Sequence, residues 1–77
     1  MLHKRELGRL SQLVRSWQSP FSPNGTKILS LIDELIDIDY DENENANKVA
    51  KFGNYLRVAL TTADNQILST AARALGK

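Results

Sequence analysis

Apolar residues recur along this chain at spacings of three and four in four separate stretches, the period of helices that bury one face. The first stretch holds Leu7, Leu10, Leu13, Val14 and Trp17 on one stripe, with Arg5, Arg9, Gln12 and Arg15 largely on the other side. Gly8 lies inside it and costs about 1 kcal/mol relative to alanine. The pattern stops at Ser19-Pro20, because proline pushes the residue before it out of α geometry. A helix over about 4–18 is therefore predicted. Ser22-Pro23 then reads as an N-cap followed by proline at the first helical position, where its missing N–H is not needed. Thr26, after the turn signal Asn24-Gly25, is a second candidate cap.

The second stretch, over 23–38, carries Ile28, Leu29, Leu31, Ile32, Leu35, Ile36 and Ile38. These cover more than half of a helix circumference, so burial on two sides is predicted. The run is rich in isoleucine, but Asp33-Glu34 and Asp37 interrupt it at helical rather than alternating spacing, which favours helix over strand. Residues 39–45 form a polar acidic loop from which Asn43 or Asn45 can cap the next helix. That helix, 45–60, has the stripe Val49, Phe52, Leu56, Ala59 and Leu60, with Ala50 and Gly53 small enough to admit a neighbouring helix. Thr61-Thr62-Ala63 is a short connection. Asp64 caps a last helix over 64–75, with Ile67, Leu68, Ala71, Ala72 and Leu75 inward and Gly76 as its C′ residue. Successive short loops make neighbouring helices antiparallel. The expected fold is all-α: four antiparallel helices as two HEAT-like helical hairpins of an α-solenoid, each of about 35–40 residues, the HEAT and armadillo unit size.

Composition narrows the function. Seventy-seven residues suit a single helical module over 1–77, since two cores of half that size would be too small to hold. Hydrophobic residues are 42% of the chain and charged residues 25%, enough for a core under an ordinary solvated surface. With no cysteine there is no disulfide, thiolate metal site or cysteine nucleophile. Charge is segregated. The seven acids Asp33, Glu34, Asp37, Asp39, Asp41, Glu42 and Glu44 lie together, between flanks that each hold five bases against one acid. Neither flank has the dense basic run of a nucleic-acid tail. No apolar run approaches the roughly 18 residues that span a bilayer. The charged N-terminus lacks the apolar segment of a signal peptide.

Candidate chemistry is thin. His3 is the single histidine, and near a terminus it reads as a solvated residue rather than a general base. Asp37, Asp39 and Asp41 alternate like the front of a calcium loop, which needs glycine at position six and glutamate at position twelve. Counted from Asp37 those positions hold Glu42 and Lys48, and counted from Asp39 they hold Glu44 and Ala50, so both registers fail. No catalytic, cofactor or metal residue is therefore assigned. Lys48, Lys51 and Arg57 on the third helix would give a polyanion only a weak, salt-sensitive contact. Trp17 and Phe21 bracket the first loop and can anchor a partner or pack a turn. Phe52, Leu56 and Leu60 read as core.

Two stretches resemble the N-terminal HEAT region of the target-of-rapamycin (TOR) serine/threonine protein kinases. Lys51-Phe52-Gly53-Asn54-Tyr55-Leu56-Arg57-Val58-Ala59-Leu60 is similar to a family segment built on an F-[AG]-N-Y-L-R core. Ala71-Ala72-Arg73-Ala74-Leu75-Gly76-Lys77 is similar to an A-x-[KR]-[AS]-[IL]-G-[KR] helix end, and Lys27 to Ile36 sits where the family has a G-G-[IL]-L-A-I-x-x-L-I helix. The resemblance implies a non-catalytic scaffold segment of a much longer kinase, partnered by neighbouring HEAT repeats and TOR-complex subunits in growth signalling. It further implies a cytoplasmic setting, with recruitment to an endomembrane surface acting through those partners. No nucleic acid, cofactor or direct membrane insertion is expected. Asn54, Tyr55 and Arg57 are expected to serve helix packing or exposed contacts. A solenoid piece leaves apolar faces for the next repeat to cover, so the isolated chain is expected to be marginal or to self-associate. The rival reading is a stand-alone four-helix module that docks an amphipathic helix in an apolar groove.

Overall fold

Helix starts and stops are set locally, and α2 and α4 each begin on a side-chain cap. The computed structural model describes residues 2–19, 21–38 and 44–76. Four helices occupy them: α1 Lys4–Trp17, α2 Pro23–Asp37, α3 Ala46–Ala59 and α4 Asn65–Ala74. Gln18, in extended geometry, ends α1 two residues before the proline in the sequence. Ser22 caps α2, its Oγ accepting the Gly25 N–H at 3.0 Å, and Pro23 takes the first helical position. Thr26 lies inside the helix, so the first of the two candidate caps is used. Asn45 stands at the N-cap position of α3 without a side-chain cap bond, while Asn43 falls outside the described residues. Asp64 caps α4, its Oδ1 accepting the Ile67 N–H at 3.0 Å. Gly76, at φ 80°, takes the left-handed geometry that a C′ glycine supplies without strain.

The chain is all-α, its helices packed on one another as helical hairpins, and no strand occurs among the described residues. α1 is the central element, flanked by α2 and α4, and α3 packs against α2 while approaching α4 at Gly53 and Arg57. α2 thus has two helical neighbours, which is what its broad apolar surface predicts. Ile28, Leu29, Ile32 and Leu35 are buried, and Leu31, Ile36 and Ile38 are partly buried against the same core. The pairing of α4 with α1 is not contained in any local pattern. The His3 N–H donates to the Ala74 carbonyl at 2.9 Å, joining the start of α1 to the end of α4. At the opposite end Leu13 and Trp17 share a cleft with Asp64 and Ile67, so α1 and α4 run antiparallel. The radius of gyration is 11.6 Å, close to the roughly 11.5 Å of a compact globular chain of this length.

Three details of the core differ from the sequence expectation. On α4 the buried stripe is Ile67, Thr70, Ala71 and Ala74, while Leu68 and Ala72 are exposed. Thr70 can go inside because its hydroxyl donates to the Gln66 carbonyl at 2.8 Å, which removes the penalty of an unpaired buried polar group. On α3 only Gly53 and Leu56 within the helix are buried, with Leu60 just beyond it. Ala50 is exposed, so close helix approach is left to Gly53, where an added Cβ would lie 3.4 Å from Leu75 Cδ2. Leu2, outside any periodic pattern, is buried with the core, beside the bond that joins the chain's two ends.

Gly8 meets no such constraint, because a Cβ there would have no atom within 4 Å. Gly8→Ala should therefore stabilise the protein by about 0.5–1 kcal/mol, through a stiffer unfolded chain and better helix propensity. A urea titration giving a higher midpoint at unchanged slope is the expected outcome.

Candidate protein-docking face

The face least accounted for by the fold lies along the seam of α2 and α3. On α2 the residues Lys27, Leu31 and Glu34 follow one another at spacings of four and three and so form one stripe, which the C-cap residue Ile38 continues four positions on. On α3 the same holds for Lys48, Phe52, Tyr55 and Ala59. Two clefts open between these stripes. One, of about 400 Å³, is lined by Lys27, Leu31, Tyr55, Val58 and Ala59. The other, of about 540 Å³, is lined by Glu34, Asp37, Ile38, Asn45, Lys48 and Phe52. The first joins the N-terminal half of α2 to the C-terminal half of α3, and the second joins the remaining halves. The two helices are therefore antiparallel and the clefts lie end to end along their seam.

Large apolar groups are left open at the first cleft. Val58 is 74% exposed and Tyr55 50% exposed, beside the partly buried Leu31. Leaving a valine so exposed forgoes most of what its burial would contribute, of the order of 1–2 kcal/mol. The rim is basic. Lys27 lines it, and the Lys51 ammonium lies 5.9 Å from the centroid of the Tyr55 ring, within cation–π range. In the second cleft the Lys48 ammonium lies 5.7 Å from the Phe52 ring centroid, facing Glu34 and Asp37 across the opening.

The residues singled out from the sequence divide between core and surface. Leu56 is fully buried and Phe52 partly buried. Tyr55 stands at the open cleft, and Asn54 beside it is exposed. Arg57 lies on another side of α3, in a cleft with Leu60, Leu68, Ala71 and Ala72. Lys48 and Arg57 thus line different clefts, and the three α3 bases do not make one surface. Trp17 is partly buried at the end of α1, and Phe21, 92% exposed, projects from the first turn. His3 is exposed and engages α4 through its backbone. Among the described residues no group of His, Asp and Glu is placed to hold a metal ion, and no helix is long and apolar enough to cross a membrane. Asp39 to Asn43, the middle of the acidic loop, lie outside the described residues.

Val58 and Leu31 are the two members of this face that sequence reasoning missed. Leu31 belongs to the broad apolar surface of α2, which periodicity assigns to burial, whereas Val58 lies off the buried stripe of α3. The available signal was the set Lys51, Tyr55 and Val58, which repeats at four and three along the otherwise polar side of α3. No family model, curated protein or solved structure matches the chain.

Proposed function

We propose that this chain is a non-catalytic helical scaffold segment, of the HEAT-repeat kind found in TOR-like serine/threonine protein kinases, whose α2–α3 edge holds another protein segment. The observation that carries the reading is the open apolar patch of Leu31, Tyr55 and Val58 at the α2–α3 seam. An edge of this kind is what a helical repeat leaves for the next element to cover. The two segments that resemble the TOR family also meet in space. Gly53, within the F-G-N-Y-L-R run, faces Leu75, within the A-L-G helix end. Their small and large residues are thus complementary parts of one contact.

A second reading is favoured by the pairing of α4 with α1. That pairing, with the bond from His3 to Ala74, packs α4 back on α1, an arrangement that suits a stand-alone docking module. The coding frame around this segment separates the two. Further helical hairpins and a kinase domain in the same frame are the result expected of the scaffold. A frame containing neither overturns that reading in favour of the stand-alone module.

A further inference from the structure

The two clefts differ in charge as well as in polarity, and together they specify more than an apolar occupant. We infer that the α2–α3 seam accepts an amphipathic helix of a partner protein whose charges are ordered, acidic at the Lys27–Val58 end and basic at the Asp37–Asn45 end. This rests on the docking reading above and adds to it the chemistry and direction of the occupant.

At the first end the apolar lining of Leu31, Val58 and Ala59 includes one cation, Lys27, and no carboxylate, and a second cation, Lys51, lies near the Tyr55 ring that also lines it. At the second end Glu34 and Asp37 line the cleft against one cation, Lys48, which lies over the Phe52 ring. A helix laid in the seam with apolar residues at spacings of three and four would cover Val58 and Tyr55. Acids in one terminal turn would meet Lys27 and Lys51, and bases in the other would meet Glu34 and Asp37. The stripe from Lys27 to Ile38 spans eleven residue steps, about 16 Å at 1.5 Å per residue, so three turns of an occupant fill it. Acids first and bases last is also the order that the helix macrodipole favours within the occupant itself. The occupant therefore runs parallel to α2. Like charges in the reversed orientation would repel at both ends, which gives the seam directional selectivity.

The test uses the whole chain and two fluorescein-labelled peptides of one composition, capped at both ends. One has glutamates in its first turn, leucines at helical spacing and lysines in its last turn. The other exchanges the glutamates and lysines. Fluorescence anisotropy should show one-to-one binding of the first peptide, tighter than the second by about tenfold or more. The paired substitution Lys27→Glu with Lys51→Glu should erase or invert that preference, and Val58→Asp should weaken both peptides by a similar factor. All three side chains are on the surface, and circular dichroism checks that the variants stay folded. Equal binding of the two peptides, weakened by Val58→Asp but indifferent to the lysine changes, overturns the charge order while the docking reading stands. Binding of neither peptide, with sedimentation showing a dimer that Val58→Asp dissolves, overturns the inference in favour of a second copy of this chain. Binding of neither peptide by a monomer overturns the inference and the docking reading together.

Discussion

Leu10→Ala is expected to cost about 3 kcal/mol of unfolding free energy, the usual scale for emptying a leucine site in a close-packed interior. Leu10 is fully buried at the middle of α1, the helix flanked by both α2 and α4. A hole there is walled by two neighbours, so inward collapse of one of them cannot close it. A chain of this length has about 4–12 kcal/mol of stability in all, and the melting midpoint should fall by roughly 10–25 °C. Leu68→Ala is the matched control. Leu68 is 37% exposed at the edge of the Arg57 cleft, and its truncation should cost about 1 kcal/mol or less. Calorimetry of the two variants checks the assignment of the α4 face as well as the centrality of α1. Equal losses from both would mean that Leu68 is in the core and that the described face of α4 is wrong.

The second large effect is Gly25→Ala, expected to destabilise by about 2–3 kcal/mol although alanine is the better helix former. A Cβ at Gly25 would fall inside the van der Waals envelope of the Ser19 carbonyl oxygen and lie 3.0 Å from Ser22 Oγ. The carbonyl cannot simply swing aside. It accepts the Ser22 N–H at 3.1 Å and the Ser22 hydroxyl at 2.9 Å, and that hydroxyl oxygen in turn accepts the Gly25 N–H. One added methyl group thus sets the turn between α1 and α2 against the cap of α2. The same substitution should have opposite signs at Gly8 and Gly25, and urea titrations of the two variants beside the parent measure both. A Gly25→Ala protein as stable as the parent would show that the turn relaxes freely.

Legibility divided along a clear physical line. Caps and helix limits depend on a few adjacent residues, so Ser22-Pro23, Asp64 and Gly76 could be read directly. The two-sided burial of α2 could also be read, because Ile28, Leu29, Ile32 and Leu35 with Leu31 and Ile36 leave no polar half. Which helices pair could not. Periodicity identifies the face that is buried and says nothing of what buries it, so the contact of α4 with α1 was invisible. The face of α4 was misread for a related reason. Leu68 outweighs Thr70 on any scale of apolarity, yet Thr70 satisfies its hydroxyl within its own helix and takes the inner place. At the docking face Tyr55 was found because it lies within a distinctive run, whereas Val58 lies in the same run, off the apolar stripe of α3, and was given no role. Exposure of a valine is a property of packing, which one chain's sequence does not display.

The bond between His3 and Ala74 has a consequence for chain entropy. About five residues separate α1 from α2, whereas about forty-seven separate α1 from α4. By the logarithmic law of loop closure the second contact costs about 2 kcal/mol more to bring together than the first. Since the described termini already lie side by side, a short covalent link between them would turn the molecule's longest closure into its shortest. The chain could then be reopened at the exposed Thr61-Thr62 turn, giving a circularly permuted protein with the same core, a different first helix and a lower contact order.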